Sequence, residues 1–178
     1  MIANHPDDPA IPAAASAAQR KLFFALWPGE AARAALAALQ AGVPGRLTPR
    51  DKLHLTLAFL GRQPADAVPA LLDILHALSV PPMRLEIDCY GHFARPRIAW
   101  AGMTQVPPAL DALQADLVRR LEGAGFSAAT HGSFKPHVTL AREADQAPAA
   151  PPAAPVVWEV MEVALVESLP SGVYAPLS

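Results

Sequence analysis

Two stretches of the chain repeat one pattern: His54-Leu55-Thr56-Leu57 and, 83 residues later, His137-Val138-Thr139-Leu140. In an extended segment, residues two apart point the same way, about 6 to 7 Å apart. Each copy therefore presents one imidazole and one hydroxyl to a common surface. Two such surfaces facing each other gather two proton-transfer groups and two hydroxyl donors. In-line displacement at phosphorus asks for that set: a base and an acid on opposite walls, with donors for the non-bridging oxygens. Imidazole, with an ordinary pKa of about 6.5, serves either role near neutral pH. A lone histidine in an apolar strand is more often a hydrogen-bonded core residue, and threonine is simply a good strand former. The repetition with similar flanks is what points to a site. A metal held by the two histidines is the other chemistry open to them, but it lacks an evident third protein ligand, His131, six residues before His137, being the one open candidate.

The elements that must position these residues can be traced along the chain. "RKLFFALWP" (20–28) reads as a strand stopped by Pro28-Gly29, and "EAARAALAALQAG" (30–42) as a helix that Gly42 terminates. The turn-rich, basic "GRLTPRDK" leads into a strand at 53–60, with Leu55, Leu57 and Phe59 on one face and His54, Thr56 and Ala58 on the other. Val68, Leu71, Leu72, Leu75 and Leu78 have the spacing of an amphipathic helix. "MRLEIDCYG" (83–91) alternates as a half-buried strand with Cys89 on its apolar face. "RIAWAGM" (97–103) is its neighbour across the connection "HFARP". Leu110, Leu113, Leu117 and Leu121 line a helix running from Pro107-Pro108 to Gly123. "HVTLAR" (137–142), "VVWEVMEVALVES" (156–168) and "GVYAPL" complete the strands. Strand–helix–strand runs from 20 to 60 and again from 97 to 142, each time with a histidine opening the second strand. The class this predicts is α+β with two related halves.

Composition narrows the partners. With 14 basic and 16 acidic residues, the chain is unsuited to coating long nucleic acid through a broad basic face. A small or end-on anion needs only a local cluster of charge. Cys89 is the only cysteine, which excludes an internal disulfide and a cysteine zinc site and fits a reducing compartment such as the cytoplasm. No apolar run approaches the roughly 18 residues that span a bilayer. Residues 1–19 lack a basic start and are broken by Pro6, Pro9 and Pro12, so they read as a disordered leader before a single domain over 20–178. The Ala/Pro-rich "QAPAAPPAAPVV" (146–157) reads as a loop, and a monomer is the default expectation.

Further residues are candidates for holding a substrate. Phe24 in the first strand offers a ring for a base to stack on, against a core role. Lys135 shares the parity of His137, and Pro136 keeps that entry extended. Arg142 has the opposite parity from His137 and reaches the same face only where the strand twists or ends. Arg46, Arg50 and Lys52 form a basic approach to the first motif. His5 (leader), His76 (helix) and His92 (loop) have no partner motif.

"LFFALWP" (22–28), "LHLTLAFLG" (53–61), "RPRIAWAG" (95–102), "FKPHVTLAR" (134–142) and "LVES" (165–168) together resemble the two-histidine phosphoesterase superfamily. Within it they are most similar to the LigT-like RNA 2′,3′-cyclic phosphodiesterases, formerly called 2′-5′ RNA ligases. The resemblance implies a bilobal α+β fold: two pseudo-twofold-related lobes, each an antiparallel sheet with outer helices, around a central cleft. It implies hydrolysis of RNA or nucleotide 2′,3′-cyclic phosphate ends to 2′-phosphomonoesters, without metal or cofactor. His54 would be the proton donor and His137 the proton acceptor, with Thr56 and Thr139 holding phosphate oxygens. Lys135 stands where the family often has arginine, keeping the charge and losing the bidentate fork. Two other readings use the same residues: a nucleotide- or RNA-binding module without chemistry, and a reversible 2′-5′ RNA ligase.

Overall fold

The computed structural model describes residues 18–129 and 133–178. The expected leader lies, up to residue 17, outside the described residues, as do His5 and His131. The first strand, β1 (Gln19–Leu26), is apolar on both faces from Leu22 onward because both faces are covered. Leu22, Phe24 and Leu26 enter the main core, while Phe23 and Ala25 join a smaller cluster with Ala164 and Val166.

The helix α1 (Glu30–Ala38) then leads through Gly42, in the left-handed region at φ +75°, to the short strand β2 (Arg46–Leu47). β3 (Leu55–Pro64), α2 (Val68–Ala77), β4 (Met83–Ile87), β5 (Cys89–Phe93) and β6 (Ile98–Gly102) follow. α3 (Pro108–Gly123) buries Leu110, Leu113, Leu117 and Leu121, the stripe its spacing predicts. The chain closes with β7 (His137–Arg142), β8 (Val156–Val160), β9 (Val163–Ser168) and β10 (Tyr174–Leu177).

The architecture is α+β, and every strand pairing in it is antiparallel. The main sheet has eight strands in the order β10-β9-β1-β3-β7-β6-β5, with β2 also on β7; β4 and β8 form a separate pair. The two anticipated strand–helix–strand passages are β1-α1-β3 and β6-α3-β7. Their strands meet where β7 pairs with β3 through Leu55↔Val138 alone and with β2 through Arg46↔Arg142 and Leu47↔Ala141. A pair of strands bonded so briefly splays, and a cleft opens between the halves.

Two expected strands are each divided. The one over 83–91 breaks at Asp88, whose carboxylate accepts hydrogen bonds from the Thr104 amide (2.8 Å) and hydroxyl (2.5 Å). The two parts pair with different partners, β4 with β8 and β5 with β6. The strand over 156–168 breaks at Met161, which is 83% exposed; β8 then serves the small sheet and β9 the large one. His92 lies in β5 rather than in a loop, with Nε2 2.8 Å from the Ala144 carbonyl.

Candidate active site

The pairing of Leu55 with Val138 fixes the site. In antiparallel register, the residues on either side of that pair stand across from one another, so His54 faces Thr139 and His137 faces Thr56. The sequence motifs are thus brought together as a crossed set, each imidazole opposite the hydroxyl of the other copy.

Both rings are held alike. His54 Nδ1 lies 2.6 Å from the Lys52 carbonyl, and His137 Nδ1 lies 2.7 Å from the Lys135 carbonyl. A carbonyl only accepts, so in each ring Nδ1 carries the proton and Nε2 is the free base. The Thr56 hydroxyl donates to His54 Nε2 at 3.0 Å. Aromatic rings wall in both imidazoles: Phe23 at 4.9 Å, Tyr174 at 5.7 Å and Trp27 at 6.0 Å from His54, and Phe93 at 5.0 Å and Trp100 at 6.0 Å from His137. Burial pushes the His54 pKa down to about 4, against the opposing pull of the Lys52 carbonyl; His137, Arg142 and Arg33 lower it further. Burial also lowers the His137 pKa, opposed by the Lys135 carbonyl and helped by the Lys135 charge. Both rings are therefore neutral in the free protein at neutral pH.

A matching irregularity follows each motif. In the pairing of β1 with β3, Phe24 is opposite Ala58 and Ala25 opposite Thr56, so Leu57 is an extra residue. In the pairing of β6 with β7, Ala99 is opposite Ala141 and Trp100 opposite Thr139, so Leu140 is extra. Such a bulge reverses the alternation of faces. Leu57 and Ala58 are consequently both buried, as are Leu140 and Ala141. The next residues, Phe59 and Arg142, join the histidine–threonine face and line one cavity of about 300 Å³ with His54, Thr56 and Thr139.

This corrects two sequence expectations, for Phe59 and Ala58, and places Arg142 where its candidacy required. Phe59 is not a core anchor but is 39% exposed in the cavity. Ala58 is buried rather than on the polar face. Arg142 reaches the site despite its parity, because the Leu140 bulge flips it.

Phe24 is also corrected: it has no exposed surface and belongs to the core, so it cannot stack on a base. Its neighbour Phe23 faces the site instead, beside His54 and Tyr174. Lys135 lies next to His137 rather than in the His54 cavity, its Nζ 4.9 Å from the Trp100 ring and 5.5 Å from Phe93. Arg46 and Lys52 line the cavity, whereas Arg50 is paired with Glu30 outside it.

Residues that sequence reasoning missed are Phe23, Phe59, Tyr174, Trp100 and Lys21. One signal for the site was present: "KLHLTLAF" (52–59) and "KPHVTLAR" (135–142) match over a longer span than the tetrapeptide, lysine included. Gly91 and Gly102 are placed by Trp100, which lies flat over both; a Cβ at Gly91 would fall 2.0 Å from its ring. Among the described residues, no three His, Cys, Asp or Glu side chains gather as a metal site. Nor is any described helix long and apolar enough to cross a membrane.

Comparison with known proteins agrees with this geometry. RNA 2′,3′-cyclic phosphodiesterase of Escherichia coli is 37% identical over 108 residues, an alignment that spans 61% of each chain. The Thermus thermophilus protein of the same name is 35% identical over 163 residues, covering 83% of this chain and 81% of that one. The apo crystal structure of E. coli LigT superposes with a TM-score of 0.79 at 31% identity, over 90% of this chain and 96% of LigT. Residues 27–170 match the 2′-5′ RNA ligase superfamily, and with the crossed histidine–threonine pairs in place the chain belongs to that family.

Proposed function

We propose that this protein hydrolyses the 2′,3′-cyclic phosphate at RNA or nucleotide ends to a 2′-phosphomonoester, by general acid–base catalysis between His54 and His137. The observation that carries the reading is the crossed register of the two histidine–threonine pairs, with His54, Thr56, Thr139 and Arg142 lining one cavity. The activity for which the aligned bacterial relatives are named supports it.

In this mechanism a water attacks phosphorus in line with the departing 3′-oxygen. Nε2 of His137 takes the water's proton as the new P–O bond forms. Nε2 of His54, protonated on substrate binding, gives its proton to the 3′-oxygen as that P–O bond breaks. The Thr56 and Thr139 hydroxyls and the Arg142 guanidinium hold the non-bridging oxygens, where charge builds. The direction rests on the cavity. Phe59 and Tyr174 offer aromatic walls on the His54 side, which suits the nucleoside, and the leaving oxygen stays with the nucleoside. The phosphate's negative charge raises the depressed pKa of His54 and lets it act as the acid.

A single copy carries every group used, which supports a monomeric, single bilobal unit over residues 20–178. The lone thiol of Cys89 fits a reducing compartment such as the cytoplasm. The decisive experiment is an assay on a nucleoside 2′,3′-cyclic phosphate in excess chelator, with product identified by phosphorus NMR. A 2′-monophosphate formed by the wild type, and lost in His54→Ala and His137→Ala, is the expected result. Binding without turnover at any pH would leave only a nucleotide-binding module.

A further inference from the structure

A cyclic phosphodiester brings one negative charge, yet the cavity beside His54 is lined by Lys21, Arg46, Lys52 and Arg142 and by no carboxylate side chain. Arg142 is committed to the central phosphate, and Arg46 is tied to Glu143 at 3.2 Å. Lys21 belongs to the base platform, its ammonium 5.7 Å from the Phe59 ring centre. Lys52 is left over. Its Nζ stands 5.1 Å over the ring of Tyr174, which is itself edge-on to His54 at 5.7 Å, and it pairs with no carboxylate among the described residues. Gly172, at φ +87°, lies beside that ammonium.

Position along the chain supplies the direction. The backbone passes Lys52, His54, Thr56 and Phe59 in that order, and all four line the cavity, with Lys52 before the catalytic imidazole in the chain and the base platform after it. A ribose whose 2′,3′ edge meets the histidines carries its base on one flank of that edge and its 5′-carbon on the other. With the base on Phe59, the 5′-carbon is directed toward Lys52. The Lys52 carbonyl also fixes His54 Nδ1, so the backbone that carries this ammonium is held against the catalytic imidazole.

We propose that Lys52, resting on Tyr174, forms a subsite for a second phosphate, the one on the 5′-oxygen of the nucleoside being processed. The subsite rests on the function proposed above and deepens it: the substrate is a nucleotide that is phosphorylated at both edges of its ribose. That 5′-phosphate is either the internucleotide link of an RNA end or the terminal group of a mononucleotide, and its chemistry is the same in both.

The test compares kcat/KM for a nucleoside 2′,3′-cyclic phosphate with and without a 5′-phosphate, and for a dinucleotide ending in the cyclic phosphate. The wild type is expected to favour the 5′-phosphorylated substrate by about tenfold, the effect of one charge-assisted contact. Lys52→Met should bring that ratio close to one, and Lys52→Arg should keep most of it. Equal rates in the wild type, or a ratio that Lys52→Met leaves intact, overturns the subsite. A gain shared by the dinucleotide assigns it to the RNA backbone; a gain for the mononucleotide alone assigns it to free nucleotides. Calorimetry with nucleoside 2′-monophosphate and 2′,5′-bisphosphate separates this idea from the reaction itself. A bisphosphate preference that Lys52→Met abolishes supports the subsite even if no cyclic phosphate is hydrolysed, a result that would bring down the hydrolytic reading alone. Equal affinities overturn the subsite and leave the hydrolytic reading standing.

Discussion

Each imidazole donates its Nδ1 proton to the carbonyl of the lysine two residues before it, which leaves both Nε2 atoms basic in the free protein. Catalysis needs one of them protonated. The kcat/KM profile is therefore a bell whose limbs follow the two free-protein values, one at about 4 and one below its ordinary 6.5. We expect its optimum on the acid side of pH 6.5, with the kcat profile displaced upward by the bound phosphate. An optimum in kcat/KM at or above neutrality would contradict the lowered pKa of both half-buried rings. Replacing either histidine by alanine should lower the rate by about 10²–10⁴-fold, as for other general acid–base groups. Arg142→Met should cost roughly 10²–10³-fold in kcat, like the loss of another oxyanion donor, and Arg142→Lys should recover only part because the bidentate fork is gone. Steady-state kinetics on a cyclic nucleotide reads all of these. The histidines and threonines were legible in the sequence because their repetition is a local pattern. Phe24 was misread because two adjacent aromatic residues in a strand covered on both faces give no sign of which one meets the site.

At the scale of elements, the two bulges decide which side chains the site contains. Strict alternation assigns Phe59 to the core and Arg142 away from His137, and one extra residue in each strand reverses both assignments. Nothing in "TLAF" or "TLAR" announces a bulge, since neither has the glycine that often marks one. The splitting of residues 83–91 and 156–168 was hidden for a related reason. Alternation continues through the break, and only the choice of partner strand changes. Helix α3 was plain from its leucines because its period does not depend on a partner. The β5–β6 hairpin adds a test of support at a distance. A methyl group at Gly91 meets the Trp100 ring at 2.0 Å, so Gly91→Ala must move the indole that lies beside His137 and under Lys135. We expect a loss of about 1–3 kcal/mol in stability, as for other overpacked sites, and a fall in kcat larger than the change in KM. Denaturant titration and steady-state kinetics measure the two effects separately.

For the molecule as a whole, charge is arranged rather than abundant. A chain with net charge −2 places four cationic residues around one cavity, so kcat/KM should fall as ionic strength rises while secondary structure holds. The half-buried, neutral His54 links the site to acid stability. Its folded pKa of about 4 lies below the unfolded 6.5, so the folded state binds fewer protons between those values. The contribution is present above pH 6.5 and is lost as pH falls toward 4, amounting to at most about 3 kcal/mol. His54→Gln should flatten the pH dependence of the thermal midpoint across that window. The narrow join between the half-sheets carries a consequence of another kind. Because β3 and β7 share one residue pair, with two more from β2 on β7, the acid and the base are mounted on strands joined by few backbone pairings. Catalysis then works as a strain gauge for that join. In a gentle denaturant gradient, turnover should vanish while the circular dichroism of both halves persists, and a 2′-nucleotide bridging the two histidines should bring the losses back into step.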